Sequence, residues 1–437
     1  MLALPTLFIA IIFVSIGTYL LFTSGSILLL KFLRNRKNFY YNKDNFITVS
    51  NMIYRMKQNA VGLANITILS TAVLLVLSTT FSLYIGMEDI LESDYPRDVI
   101  TEYSTDAELL SIIDDTIAKH ALNHNLKIVD ELKFNNLTAA VYIEKDVLTS
   151  VNMIEKFDPF KMINLELYTA EDYNKVYSKN LSLNKNQIAV YSDTLDLNYT
   201  TLNIMGKDYL VKEQLDNNIF YPEEGYESAT VIVSDFNELE ALQIESVKVL
   251  NEEGSSYPNR TLRGYHFNVE GKLNDKLNFG ETLRETLRAE REEAGVVRDV
   301  YTAKDRYLSQ YGSLFFVGLF LGILFLVATV LIIYFKQISE GYQDQERYEI
   351  LQKVGMTKEE VKSTINTQIK FVFFLPVLMA TVHIAFAFPL LKKVLGMLGL
   401  FNTNLFIIVT LITIVVFALF YALVYHQTAK VYYKIVN

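Results

Sequence analysis

Cysteine and tryptophan are both missing from the 437 residues, and only 7 prolines and 5 histidines are present. Without cysteine there can be no disulfide framework, no thiolate metal site and no cysteine nucleophile. Any exported domain must fold without oxidative staples. Phosphate-loop (G-x-x-x-x-G-K-[ST]), H-E-x-x-H and G-x-S-x-G patterns are also missing, so the residues supply no ATPase site and no recognisable hydrolase site. A formal net charge of −9 excludes the basic footprint of a nucleic-acid partner. His120 and His124 are four apart and can share a helix face, but with no third ligand close in sequence they make a poor metal site. No metal or cofactor is expected.

What is present is unevenly placed. Hydrophobic residues make up 51% and charged residues 20% of the chain, against roughly 25% charged in soluble proteins. Residues 88–311 hold 42 acidic against 23 basic side chains, while the remainder holds 7 against 17. Five apolar runs, 2–30, 61–87, 313–335, 371–391 and 405–425, carry no charge before their ends. Each approaches or exceeds the 20 or so helical residues that cross a hydrocarbon core of roughly 30 Å. The expected fold is a membrane protein, an α-helical bundle of five spans with one large α+β extracellular domain.

Orientation follows from lysine and arginine, which concentrate in cytoplasmic loops. Lys31, Arg34, Arg36, Lys37, Lys43, Arg55 and Lys57 follow the first run, with Asp44 as the one acid among them. The expected order is a transmembrane helix over 1–31, then a cytoplasmic loop over 32–60 holding an amphipathic stretch over 46–58, either an interfacial helix or the cytoplasmic extension of the second run. A second span over 61–87 leads to an extracellular domain over 88–311, and a third span over 312–335 leads to a cytoplasmic loop over 336–370. A fourth span over 371–391, an extracellular loop over 392–404, a fifth span over 405–427 and a cytoplasmic tail over 428–437 complete it. This threading puts the N-terminus outside and the C-terminus in the cytoplasm. Residues 1–5 contain no basic side chain, so the n-region of a signal peptide is missing. An odd span count with a bare exterior start reads as a segment of a larger protein, or as a partner to a chain that supplies the rest.

The acidic block shows both periodicities. Thr105 with Glu108 forms a capping box ahead of Leu109, Ile112, Ile113 and Ile117 at helical spacing. Segments 139–143, 187–191, 230–233 and 246–250 read as strands, and Gly206 marks a hairpin between 201–205 and 209–211. Asp235 opens a further helix. The sequons at Asn136, Asn180, Asn198 and Asn259 matter only in a glycosylating host.

Within the spans, Gly318 and Gly322 have the spacing that lets two helix backbones approach in lipid. Packing inside the bundle is the expected use, ahead of dimerisation. Pro376 and Pro389 interrupt the fourth run, and His383 is an ionisable side chain deep within it. Lys304, Arg306, Lys392 and Lys393 flank the outer face. They suit either a lipid phosphate or plain anchoring, with buried stems and hydrated ammonium groups.

The densest pattern is 344–368, DQERYEILQKVGMTKEEVKSTINTQ. Tyr348, Leu351 and Val354 share one helix side. Gly355 stands where a left-handed C′ residue is wanted, and Thr357 with Glu360 forms a capping box for a second helix. Met356 and Val361 take the positions of a hydrophobic staple. Two helices joined by a stiff corner are expected.

This loop, Glu346…Leu351…Gly355-Met356-Thr357…Glu360, resembles the hallmark loop of FtsX-like ABC transporter permeases. The segment 50–60 (SNMIYRMKQNA) is similar to the one that precedes the large exterior domain in the bacitracin-export-type permeases of Gram-positive bacteria. The resemblance implies a cell-membrane permease subunit of an ATP-driven transporter that confers resistance to antimicrobial peptides, with the ATPase on a separate subunit. It further implies a sensor histidine kinase as a second partner and a coupling helix at this loop. On that basis Tyr348, Leu351, Val354 and Met356 are expected to touch the ATPase, with Gly355, Thr357 and Glu360 fixing the corner. Members of that family have about ten spans in two halves. Five spans here match the second half plus one preceding helix, so another chain would supply the first half if this one is whole. Two other readings are an FtsX-type cell-division regulator of a wall hydrolase, usually with a much smaller exterior domain, and a membrane sensor without transport activity.

Overall fold

The computed structural model describes residues 3–36, 40, 43–104, 107–153, 162–192, 195–216, 228–248, 260–290, 296–353 and 358–436. They fall into two compact units, Met1–Gly86 with Tyr311–Asn437, and Met87–Gln310.

Helix α1 (Ala3–Leu20) passes through one π-helical turn, Leu21–Gly25, into α2 (Ser26–Asn35). The long α3 (Lys43–Ile85) follows. In the second unit the order is α4 (Met87–Asp94), β1 (Val99–Ser104), α5 (Ala107–Asn123), β2 (Lys127–Glu144), β3 (Val147–Ser150) and β4 (Met162–Thr169). Then come α6 (Ala170–Tyr177), β5 (Gln187–Tyr191), β6 (Thr201–Ile204), β7 (Lys207–Gln214) and β8 (Ser228–Val233). Helix α7 (Phe236–Ser246), β9 (Arg260–Glu270), α8 (Leu273–Glu290) and β10 (Val296–Asp299) complete its sheet. Three helices close the chain: α9 (Val300–Lys353), α10 (Lys358–Gly396) and α11 (Thr403–Val436).

Among the described residues, five helical stretches are long and apolar enough to cross a membrane: Phe8–Asn35, Asn59–Ile85, Val300–Gln345, Phe373–Gly396 and Thr403–Tyr432. Their shared core joins Val73 and Leu74 of α3, Ile333 of α9, Phe373 and Ile384 of α10, and Phe417 and Tyr421 of α11. A second cluster seats Phe22 of the π turn and Leu30 of α2 against Met56, Ala60, Leu63 and Ala64 of α3. Buried hydroxyls on α3 are satisfied within the helix: Thr67 donates to the Leu63 carbonyl at 2.9 Å and Ser82 to that of Ser78 at 2.6 Å. In a medium without water such internal bonds are what make a hydroxyl tolerable.

Among the described residues the second unit has ten strands in the order β10-β1-β9-β2-β3-β6-β7-β5-β8-β4, with β2 also paired to β4. The long β2 makes this possible. Along one edge it pairs with β9 over Lys127–Thr138 and then with β3 over Val141–Glu144, while β4 runs along the other edge over Asn136–Tyr142. Seven strands therefore close into a ring, β2-β3-β6-β7-β5-β8-β4, and closure removes exposed edges. Its core holds Leu137, Val141, Ile163, Leu165, Ile188 and Val231, with Leu239 and Leu242 of α7 packed in. The remaining β10-β1-β9 flank is covered by α5 and α8, whose Ile113, Ile117, Phe279 and Leu283 meet Val99, Tyr103 and Phe267. β6 and β7 are joined through Met205 (φ 52°) and Gly206 (φ 89°), two left-handed residues as a type I′ turn requires.

Caps fix several helix starts. The Asp235 carboxylate accepts the Glu238 amide at the head of α7, and Thr169 accepts that of Asp172 at the head of α6. Asp299 accepts both the amide and the hydroxyl of Thr302, at 2.8 and 2.6 Å, so the 54-residue α9 begins at the end of β10.

One expectation fails. Segment 246–250 alternates as a strand would, yet Ser246 closes α7 and Val247 caps it with its amide on the Gln243 carbonyl. The Ser246 carbonyl accepts from Ser150 Oγ at 2.7 Å and Asn152 Nδ2 at 3.0 Å. These long-range donors satisfy the helix end, which local alternation does not report. Val249, Leu250 and the Thr105–Asp106 part of the capping box lie outside the described residues.

Candidate functional site

The loop motif falls between α9 and α10. Tyr348 and Leu351 lie within α9 and Glu360 within α10, while Val354, Gly355, Met356 and Thr357 lie outside the described residues. What the structure shows is how the two stems are held. Asp344, on the last part of α9, is buried and accepts a hydrogen bond from Tyr432 Oη of α11 at 2.7 Å. Tyr421, eleven residues earlier on α11 and so about three turns away, donates its hydroxyl to the Phe373 carbonyl of α10 at 3.0 Å. Pro376 lies three residues on and lacks the amide that would have served the carbonyl of Val372. One helix, α11, thus pins both stems.

Between these anchors sits a polar cluster within an apolar bundle. Lys336 and Glu340 face each other along α9 with 3.7 Å between charged atoms, both largely buried. Gln337 is only 6% exposed, and its Oε1 has no hydrogen-bond partner among the described residues. A cavity of about 20 Å³ opens beside them, lined also by Leu63 and Ile66 of α3, Phe373 and Tyr421. That is room for about one water molecule. No sequence motif named above covers this joint. Its signal was the i, i+1, i+4 pattern of Lys336, Gln337 and Glu340, placed directly after an apolar run.

Gly318 and Gly322 of α9 lie against Thr80 and Leu77 of α3, where any Cβ would strike the facing side chain. The close approach continues through Phe315, edge-on to Phe81 at 5.0 Å and stacked on Tyr84 at 4.7 Å. His383 stands between two hydroxyls, Thr71 at 3.1 Å from Nδ1 and Thr18 at 3.5 Å from Nε2.

The four basic candidates are divided between the two units. Lys304 lies 3.9 Å from Glu88, and Arg306 donates to Tyr95 Oη at 3.3 Å, both within the second unit. Lys392 and Lys393 are exposed near the end of α10 in the first unit. Among the described residues, no three His, Asp or Glu side chains gather as metal ligands.

A bundle of apolar helices carrying a large sheet-rich unit defines the class as a multi-pass membrane protein. No protein-family model matches the chain. Among curated proteins it is similar to the ABC transporter permease protein YxdM of Bacillus subtilis, 26% identical over 392 residues, 87% of this chain and 57% of that protein. The uncharacterized ABC transporter permease YvcS of the same organism is 24% identical over 98% of this chain and 64% of its own length. The bacitracin export permease protein BceB of Halalkalibacterium halodurans is 25% identical over 88% and 58%. The likeness is to the ABC transporter permeases as a family, bacitracin export permeases among them. The chain spans about three-fifths of the length of these relatives.

Proposed function

We propose that the chain acts as a permease subunit of an ATP-driven transporter that confers resistance to cell-wall-active peptide antibiotics of the bacitracin kind. A separate ABC-type ATPase supplies the energy. In this reading the sheet-rich unit lies outside the cell, the loop between α9 and α10 lies in the cytoplasm, and the C-terminus is cytoplasmic. The extracellular unit acts on antibiotic or on its complexes with membrane lipid intermediates, and a sensor histidine kinase is a further partner.

One observation carries the reading. A loop with the FtsX-like motif is held at both stems by α11, through Tyr432–Asp344 and Tyr421–Phe373, so a push on its tip acts on the bundle. Tyr348, Leu351, Val354 and Met356 then form the ATPase contact, and Gly355, Thr357 and Glu360 fix the corner. Lys304, Arg306, Lys392 and Lys393 serve as lipid-phosphate contacts or interface anchors.

Gly355→Val tests the coupling role, because a β-branched residue resists the left-handed conformation a C′ position takes. The variant should reach the membrane at the wild-type level and still bind the ATPase. Peptide-stimulated ATP turnover and bacitracin resistance should fall together. Unchanged stimulated turnover refutes the coupling assignment, and unchanged resistance in a strain deleted for the chain refutes the transporter reading.

A further inference from the structure

His120 and His124 sit one turn apart on α5 with ring centroids separated by 4.7 Å, both against Phe279 of α8. Their Nε2 atoms reach the same oxygen. Thr282 Oγ1, also on α8, lies 2.8 Å from His120 Nε2 and 3.2 Å from His124 Nε2. That hydroxyl places its one hydrogen on the Asn278 carbonyl at 2.6 Å. It therefore offers lone pairs to both rings, and each imidazole carries its hydrogen on Nε2.

Two imidazole nitrogens and one oxygen converging on a point resemble one face of a metal coordination shell. With metal–ligand bonds of about 2.1 Å, adjacent donors of an octahedral shell lie about 3.0 Å apart. The two nitrogen–oxygen separations here fall on either side of that value. A cation entering the cluster requires each ring to move its hydrogen from Nε2 to Nδ1, with small heavy-atom shifts. Thr282 keeps its hydrogen on Asn278 and turns a lone pair to the metal. Both rings are partly exposed, so ions have access.

We propose that His120, His124 and Thr282 form a binding site for a divalent transition-metal ion of the zinc or nickel kind, which clamps α5 to α8. The remaining positions belong to water, since the third protein donor is a neutral hydroxyl. Such a shell gives moderate affinity and favours borderline metals with imidazole preference over calcium or magnesium. The spacing of the two histidines was visible in the sequence; the third donor, 158 residues beyond His124, was not.

The test uses the full chain in detergent micelles, without a histidine tag and stripped by chelator, titrated calorimetrically with zinc or nickel chloride near neutral pH. Saturable binding in the micromolar range is expected. His120→Ala and His124→Ala should each weaken it at least about tenfold. Thr282→Val should weaken it less, and Thr282→Ser should preserve it. His426→Gln, on α11, should leave it unchanged. Zinc should also raise the unfolding temperature of wild type and fail to raise that of the folded His120→Ala/His124→Ala variant. Binding that survives the double substitution, or no saturable binding to wild type below millimolar metal, overturns the site. Neither result bears on the transporter reading.

Discussion

The two units solve the same problem, buried polar groups, in opposite ways. In the helical unit the buried hydroxyls of Thr67 and Ser82 bond carbonyls one turn back on their own helix. In the sheet-rich unit the buried carboxylates reach other elements. Asp172 of α6 accepts the Asn135 amide of β2 at 3.0 Å, and Asp299 of β10 meets Arg284 of α8 at 3.2 Å. Glu238 of α7 takes hydrogen bonds from Lys207 and Tyr209 of β7. Polar bonds therefore position elements throughout the second unit, whereas in the first most hydroxyls neutralise their own helix, and bonds between helices are made at particular points such as Tyr432–Asp344 and Tyr421–Phe373.

If that contrast holds, the largest effect of a single group should come from the sheet-rich unit in acid. His266 of β9 is 2% exposed, and burial, followed by Arg97 and Arg298, holds its imidazole down to about 3. Its folded value lies below the unfolded value of about 6.5, so the folded state prefers the neutral ring. This contribution is complete above pH ~6.5 and is lost as pH falls toward ~3, by up to about 5 kcal/mol. Chemical unfolding followed by tyrosine circular dichroism should show that slope in wild type and a shallower one in His266→Phe. Equal slopes would break the prediction.

Next in size is Phe134→Ala. The ring is buried on β2 over Gly264 of β9 and stands edge-on to His266 at 4.8 Å. Truncation should cost about 3–5 kcal/mol. Phe316 of α9, 69% exposed, is the counterpart in the helical unit, and its truncation should change stability little. Gly318→Leu should fall between them, about 1–3 kcal/mol from overpacking against Thr80, read as a lower unfolding temperature in detergent.

The sequence exposed these two units to different depths. Long charge-free runs name apolar helices because nothing but a helix or closed barrel satisfies a backbone in lipid. Helix ends were less visible. Run 313–335 lies inside a helix of 54 residues, since Gln, Glu, Tyr and Lys beyond the run also favour or tolerate helix. Segments 187–191 and 230–233 stood out by their β-branched and apolar residues. The parallel pairing of β4 with β8, and the ring it closes, left no local mark. At the loop, a short motif named the corner, but the partner of Asp344 at its head, Tyr432, lies 88 residues away and outside it. Local chemistry was legible, and contacts made by chain return were not.

The finest test of the contrast uses three substitutions of similar size. Asp235→Ala removes the α7 cap and should cost about 1 kcal/mol, because the Glu238 amide loses its acceptor. Thr71→Val in the helical unit should match or exceed it, at about 1–2 kcal/mol, because that hydroxyl also serves His383 Nδ1 on α10. Thr67→Val should be the smallest of the three, within about 0.6 kcal/mol. The Leu63 carbonyl it releases keeps the helix amide one turn on, and valine fills nearly the same volume at a site with no exposure. If Thr67→Val instead costs as much as Thr71→Val, buried hydroxyls position this bundle too, and the division between the units disappears.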